Sequence, residues 1–249
     1  MTTASLWMVQ AGQGPTALFV HGGLLDHRIF APQMRDLADV RRCVALDLPG
    51  FGRSPAKGAL APAALAEAAI EAMAGLKPPW DLVGLSLGGS VVAEIARQAP
   101  DRVRSVCAIG VGGAGGRSAG AIAAARDRFA TQDRTEFAAS FADRMVSEAA
   151  DPGIRALIAE MAAATPDATV HALYDLLVDF PPSLPRLEAL TCPVLLLAGS
   201  EDGGAATDEM VAIAARRQHI AFSVIAQAGH VATLEKPAAI DAALRAFWS

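Results

Sequence analysis

Short apolar runs alternate along the chain with longer amphipathic segments. The runs are continuously apolar, and turn residues follow them, which is typical of strands covered on both faces in a parallel sheet. We predict strands at 16–20, 43–48, 80–86, 102–110, 193–199 and 221–227. The opening residues, about 4–9, are expected to add an antiparallel edge hairpin with the residues that follow them.

Apolar residues recur at helical spacing in the segments between these runs. Pro62 and Pro237 stand where two of these helices are expected to begin, a position at which proline costs nothing. The predicted helices cover 29–39, 62–75, 88–98, 206–217 and 237–248. This alternation predicts an α/β protein with a doubly wound, mostly parallel sheet.

One long interval, between Gly110 and Pro193, has no convincing strand. Its apolar residues recur at helical spacing, so we predict a helical cap inserted after the sixth strand. The expected organisation is a core built from 1–112 and 188–249, with the cap at 113–187.

Composition and charge exclude several classes of protein. Of the 249 residues, 53% are hydrophobic, which is enough for a large core and argues against intrinsic disorder. The net charge of -5 argues against nucleic acid or an anionic membrane surface as a partner. Without a signal-like or membrane-spanning apolar run, we expect a cytoplasmic monomer or homodimer.

The cysteines indicate neither a disulfide framework nor a zinc site. They are Cys43, Cys107 and Cys192, an odd number scattered along the chain, and at least two of them border or lie in apolar runs. We expect them to be small buried apolar residues.

The segment "DLVGLSLGGSVV" at 81–92 places Ser86 where an apolar strand turns directly into a helix. A side chain at so sharp a turn adopts a strained backbone conformation, and glycines on either side give the neighbouring chain room. The hydroxyl then lies above the carboxyl ends of the strands, where open α/β sheets bind ligands. Ser86 is therefore a candidate nucleophile.

A serine nucleophile needs a base, which here is a histidine. His230 lies in a glycine-flanked loop between the last predicted strand and the last helix, at the sheet edge where Ser86 is expected. We therefore assign His230 as the base. His21 is expected to hold its own loop, and the remaining three are expected to face solvent or pack, with His27 also a candidate pocket residue: His27, His171 and His219.

The base in turn needs an acid that orients its ring. "LLLAGSEDGG" ends a predicted strand and offers Glu201 and Asp202, whereas no acid follows the preceding strand. We assign Asp202, which gives the chain order Ser86, Asp202, His230. Two backbone amides, those of Gly23 and Leu87, are placed to bind an oxyanion.

Five motifs together resemble the α/β-hydrolase superfamily over essentially the whole length. They are "HGG" at 21–23, "DLPGFGRS" at 47–54, "GLSLGG" at 84–89, "GSED" at 199–202 and "AGHVATLEKP" at 228–237. The resemblance implies the α/β-hydrolase fold and a serine–aspartate–histidine triad. One departure is that no proline follows the acid in "EDGGAAT", which leaves Glu201 as an alternative to Asp202.

Within that superfamily, the residues narrow the chemistry. Ser86 at the strand-to-helix turn argues against dehalogenases and epoxide hydrolases, which have aspartate at that position. Leu24 and Leu25 follow "HGG", where carbon–carbon hydrolases and proline iminopeptidases usually have further glycine or proline, so both of these classes are disfavoured as well. "DLPGFGRS" resembles bacterial carboxylesterases that release methyl pimeloyl carrier esters. The cap and the last third are similar to 3-oxoadipate enol-lactonases and related small-cap esterases.

The expected activity is hydrolysis of a carboxylic ester with a small or medium acyl group, without metal or organic cofactor. A lactonase or another relative with the same triad is the alternative, and a slow, receptor-like binding module is a third hypothesis. Candidates for an apolar substrate pocket, most of which cap packing alone would also explain, are Leu24, Leu25, Phe129, Phe137, Phe141, Met145 and Tyr174.

Overall fold

The computed structural model describes residues 6–112 and 118–249. The first residues of the predicted opening strand, at 4 and 5, and the first residues of the predicted cap, at 113–117, lie outside the described residues.

The described strands form a single seven-stranded sheet. They are β1 (Met8–Ala11), β2 (Thr16–Val20), β3 (Arg42–Leu46), β4 (Trp80–Leu85), β5 (Val103–Ile109), β6 (Val194–Gly199) and β7 (Ile220–Ile225). Their order across the sheet is β1-β3-β2-β4-β5-β6-β7, and only β1 is antiparallel to its neighbour. The predicted doubly wound, mostly parallel sheet is confirmed.

The central strands are apolar throughout because both faces of the sheet are covered. Every residue of β2, β4 and β6 is buried. Successive side chains of a strand point to opposite faces, so Leu18 and Val20 join one hydrophobic cluster, whereas Ala17 and Phe19 join another.

Eleven α-helices are described. They are α1 (Ala31–Asp36), α2 (Pro62–Ala72), α3 (Leu87–Gln98), α4 (Ala119–Thr131), α5 (Arg134–Met145), α6 (Pro152–Ala164), α7 (Asp167–Val178), α8 (Ser183–Glu188), α9 (Thr207–Arg216), α10 (Ala232–Glu235) and α11 (Pro237–Phe247). Short 3-10 helices cover His27–Phe30 and Pro100–Arg102. Pro62 and Pro237 each begin their helix as predicted.

The five helices α4–α8 lie between β5 and β6 and form the predicted helical cap. The cap follows the fifth described strand rather than the sixth, because the opening segment contributes only β1. That strand pairs with β3, with Met8 opposite Leu46, and forms no hairpin with β2. Side chains of Ser118, Asp133 and Asp151 cap the amino termini of α4, α5 and α6.

The cysteines are free, as expected from their spacing. Cys43 and Cys107 are buried, and Cys192 is partly buried. Burial raises the pKa of the Cys43 thiol to about 12 and raises that of Cys107 further. Neither thiol therefore supplies a thiolate at neutral pH.

Candidate active site

The candidate residues all follow strands at one edge of the sheet. Gly23 comes after β2, Ser86 after β4, Asp202 after β6 and His230 after β7. These four strands run parallel, so their carboxyl ends meet on the same side of the molecule.

Ser86 occupies a strained turn between β4 and α3. Its backbone has φ 56° and ψ -116°, a region that non-glycine residues adopt at a cost on the order of 1–3 kcal/mol. Hydrogen bonds hold it there, because its amide donates to the Ile109 carbonyl at 2.8 Å and its carbonyl accepts from Gly89 at 2.9 Å. The turn leaves the Ser86 side chain partly exposed.

Two glycines make this turn possible. A Cβ atom on Gly84 would lie 2.2 Å from the Gly88 carbonyl oxygen. A Cβ on Gly88 would lie 2.0 Å from the carbonyl oxygen of Val20, at the end of the neighbouring strand β2. Any side chain at either position would collide with backbone, which accounts for the glycines around the serine.

His230 and Asp202 form a hydrogen-bonded pair. The distance from His230 Nδ1 to Asp202 Oδ2 is 2.8 Å, and only 2% of the Asp202 side chain is exposed. The other carboxylate oxygen accepts from the Gly204 amide at 2.9 Å. Since a carboxylate only accepts, Nδ1 is the donor, and the neutral ring has Nε2 available as an acceptor.

The loops that carry the acid and the histidine are also joined through their backbones. The Glu201 amide donates to the Ala228 carbonyl at 2.9 Å. The side chain of Glu201 is exposed, so Asp202 is the acid that the structure places on the histidine ring.

Gly110 marks the point where the two halves of the site meet. It has φ 61°, and a Cβ atom there would lie 3.0 Å from Asp202 Oδ2 and 3.1 Å from His230 Nδ1. The preceding residue, Ile109, accepts a hydrogen bond from the Ser86 amide. The His230–Asp202 pair and the serine turn therefore contact adjacent residues at the end of β5. The absence of a side chain at 110 leaves room for the acid that arrives from β6.

The loop after β2 lies directly against the serine. A Cβ on Gly22 would lie 3.2 Å from the Ser86 Cβ. His21 fixes this loop: its Nε2 accepts from the Leu48 amide at 2.9 Å, so its Nδ1 donates to the Gly22 carbonyl at 2.7 Å. Burial lowers the pKa of His21, which keeps the ring neutral for this bridging role.

The two predicted oxyanion donors follow these contacts in sequence: Gly23 comes directly after Gly22, and Leu87 directly after Ser86. Leu87 is the first residue of α3, so its N–H has no partner within the helix. The positive end of the α3 dipole adds to its attraction for an anion.

A second polar cluster ties the loops after β2 and β3 together. Asp26, His27 and Asp47 bring three potential metal ligands within 4.8 Å of one another. Their atoms are already engaged, because Arg28 binds both oxygens of Asp26 and Asp47 accepts from His27 and from the Arg53 amide. Burial would raise the pKa of Asp47, but these hydrogen bonds hold it below its usual value. We interpret the cluster as structural.

The predicted pocket residues divide between the two hydrophobic clusters. Leu25 and Met145 pack with the cluster that contains Phe19, on the α1 and α11 side of the sheet, and Phe141 borders both clusters. The remaining four lie in or against the cluster that contains Val20 and also Leu87: Leu24, Phe129, Phe137 and Tyr174.

Two residues near the site, Leu173 and Thr169, are not among those predicted from the sequence. A Cβ on Gly23 would lie 2.9 Å from the Cδ2 of Leu173, so α7 reaches the loop after β2. One turn earlier, Thr169 lies against Gly50 in the loop after β3. Leu173 is one of the apolar residues at helical spacing between Gly110 and Pro193, but only the docking of the cap shows what it contacts.

The fold and the site define the class of protein. The sequence profile of the alpha/beta hydrolase family matches residues 17–243, and the chain belongs to that family. The predicted α/β-hydrolase fold is confirmed.

Individual relatives include esterases and a lactonase. A thermophilic esterase from Thermogutta terrifontis, solved with malate bound, is 29% identical with a TM-score of 0.87, over 98% of this chain and 92% of that one. The enol-lactonase of Burkholderia xenovorans LB400 is 21% identical with a TM-score of 0.84, over 98% and 96% of the two chains, a likeness of fold alone.

A curated relative matches over a shorter stretch. The pimeloyl-[acyl-carrier protein] methyl ester esterase of Chromobacterium violaceum is 38% identical over 107 residues, which make up 42% of this chain and 40% of that enzyme. The chain thus spans well under two thirds of that enzyme's length. Among the described residues, no helix has the length and apolar character needed to cross a bilayer.

Proposed function

We propose that this protein is a serine hydrolase that cleaves carboxylic esters of small or medium acyl groups through an acyl-enzyme. The main support is one arrangement: the His230–Asp202 pair lies beside Gly110, whose neighbour Ile109 holds the strained Ser86 turn.

In the proposed mechanism, the Ser86 oxygen attacks the ester carbonyl while its proton passes to Nε2 of His230. The alcohol then leaves with that proton, and a water molecule deprotonated by His230 releases the acid from Ser86. Asp202 keeps the proton on Nδ1 and stabilises the positive imidazolium. The reaction as written needs no metal or organic cofactor.

Negative charge develops on the carbonyl oxygen in each tetrahedral intermediate. We assign the Gly23 and Leu87 amides as its donors, each of which typically contributes about 3 kcal/mol to such a transition state. The adjoining surface is apolar, with Leu24, Leu87 and Leu173 in one cluster, which suits an uncharged acyl group.

The esterases among the relatives support an ester as the substrate. A lactone is an ester closed into a ring, so the same residues would open it. Lactonase activity is accordingly the alternative, and a receptor-like module that binds an ester but turns over slowly is the third.

The test is a substrate panel with Ser86→Ala. Purified protein is assayed with p-nitrophenyl acetate and butyrate, an enol-lactone and a homoserine lactone, and is also labelled with a fluorophosphonate. We expect steady-state turnover of the esters, labelling at residue 86, and a loss of about 10⁴-fold or more in Ser86→Ala.

The matched control is Ser223→Ala, which changes an exposed serine of β7 and should leave turnover intact. Activity of Ser86→Ala above about 1% of the parent would remove the serine from its role. Preferred turnover of a lactone would favour the alternative, and a single burst without turnover would favour the receptor-like module.

A further inference from the structure

The carboxylate of Glu235, at the end of α10, bridges two loops that are far apart in sequence. Its Oε1 accepts from the Gly229 amide at 2.9 Å, and its Oε2 accepts from the Ser147 amide at 2.8 Å. Gly229 immediately precedes His230, and Ser147 lies in the turn between α5 and α6 of the cap. One side chain therefore joins the histidine loop to the cap.

The two loops are in direct backbone contact around this bridge. A Cβ on Gly229 would lie 2.5 Å from the Ser147 nitrogen, so only glycine fits there. On the other side of the histidine, the Val231 amide donates to the Met145 carbonyl at 2.9 Å. Both chain neighbours of His230 are thus held by residues 145–147, which we term the cap turn.

The cap turn is itself anchored from its opposite side. Arg155 of α6 donates to the Ser147 carbonyl at 2.6 Å and to the Glu148 carbonyl at 2.8 Å. It also pairs with Asp143 at 3.0 Å. Ser147 is buried, with 4% of its surface exposed. The histidine loop therefore rests on a fixed support.

From this geometry we propose that Glu235 is a positioning residue for His230. Glu235 binds the Gly229 amide and the Ser147 amide of the cap turn at once. It therefore holds the histidine loop in one position and orientation, and so aligns the ring between Asp202 and Ser86. The proposal rests on the function proposed above for His230.

The chemistry of the bridge makes Glu235→Gln an informative variant. Both contacts are amide N–H groups, and a carboxylate offers an acceptor to each. A glutamine of the same shape accepts only one of them and directs its own NH₂ group at the other donor. The variant therefore breaks one half of the bridge while filling the same space.

The experiment compares Glu235→Gln with the parent and with Glu209→Gln, which changes an exposed residue of α9. Kinetics with p-nitrophenyl butyrate give kcat and KM separately, and proton NMR without substrate follows the downfield Nδ1–H signal of His230. We expect kcat to fall about 10- to 100-fold with KM within about threefold, the scale of a misplacement near 1 Å. We also expect the Nδ1–H signal to move or broaden, and Glu209→Gln to match the parent.

An anchoring role alone would lower the melting temperature and leave both kcat and the signal unchanged, and that result would overturn the proposal. If Glu235→Gln does not fold, Glu235→Asp decides, because its carboxylate is one methylene shorter and cannot reach the Gly229 and Ser147 amides together. A kcat within twofold of the parent in that variant would also reject the positioning role.

These outcomes can be told apart from a failure of the proposed function. If the proposed function is wrong, the parent protein itself shows no turnover that depends on Ser86. The NMR comparison needs no substrate, so it still reports whether Glu235 positions the His230–Asp202 pair.

Discussion

At the scale of single residues, the site depends on which acid reaches the histidine. The sequence offers two neighbouring acids after β6, and the structure directs Asp202 to the ring while Glu201 remains exposed. The missing proline in this loop has no visible consequence for that contact, because backbone bonds from Glu201 and Asp202 already fix the turn.

Asp202→Asn should lower kcat about 10⁴-fold in the ester assay with little change in stability. The physical reason is that an asparagine can donate to Nδ1, which would place the ring proton on Nε2, where it blocks proton transfer from Ser86. Glu201→Gln is the matched control and should retain parental kcat. Equal losses in the two variants, or a loss only in Glu201→Gln, would contradict the assignment of Asp202.

At the scale of elements, helix α7 of the cap contacts the loops at the edge of the sheet where the site lies. Helix α7 places Leu173 against Gly23 and Thr169 against Gly50, so two contacts one turn apart seat it on the loops after β2 and β3. If the Gly23 amide binds the oxyanion as proposed, we expect the acyl group to lie near the Leu173 side chain. This helix is therefore where we expect acyl size to be limited.

Leu173→Ala should shift the substrate preference towards longer acyl chains. Removing the isobutyl group opens space beside Gly23, and one methylene of difference in an apolar pocket is worth roughly tenfold or more in specificity. We expect the ratio of kcat/KM for p-nitrophenyl octanoate over acetate to rise about tenfold. Leu176→Ala on the same helix is the control, and a ratio unchanged in Leu173→Ala would place the acyl pocket elsewhere.

At the scale of the whole molecule, buried polar groups join the helices beneath the histidine loop. Gln33 of α1 donates to the Thr233 carbonyl of α10 at 3.2 Å and lies beside Asp241 of α11. Among the described residues, one oxygen each of Gln33, Thr233 and Asp241 has no hydrogen-bond partner. Burial raises the pKa of Asp241, and the neighbouring Gln33 side chain offsets this only in part.

Because the pKa of Asp241 is raised in the folded state, its contribution to stability depends on pH in one direction. The stability gained by the protonated Asp241 is present below the unfolded pKa, about 4, and is lost as the pH rises through the folded value. Asp241→Asn removes the buried charge, so at pH 7 its melting temperature should exceed that of the parent by about 2–4 °C. The difference should disappear near pH 4.

Thermal unfolding followed by circular dichroism at several pH values tests this, with the exposed Asp208→Asn of α9 as control. A pH-independent difference, or a lower melting temperature for Asp241→Asn at pH 7, would show that the ionised carboxylate is not a cost to the fold.

The sequence predicted the strands closely because they are buried on both faces and therefore continuously apolar. The helix at 29–39 was less accurate, since the structure divides it into a 3-10 turn and the short helix α1. The opening hairpin was wrong for a non-local reason: β1 pairs with β3, and strand pairing leaves little trace in local composition.

The α/β class, the helical cap and the strained serine turn can be predicted from the chain alone, because each follows from local periodicity and from glycines that only a close backbone approach requires. The sequence also placed Ser86, Asp202 and His230 at one sheet edge through the rule for parallel strands. Three contacts are visible only in the folded molecule: Asp202 rather than Glu201 binds the ring, Leu173 covers Gly23, and Glu235 joins the cap to the histidine loop. Those contacts depend on how distant segments dock, and docking is set by the packing of whole elements rather than by the residues of any one of them.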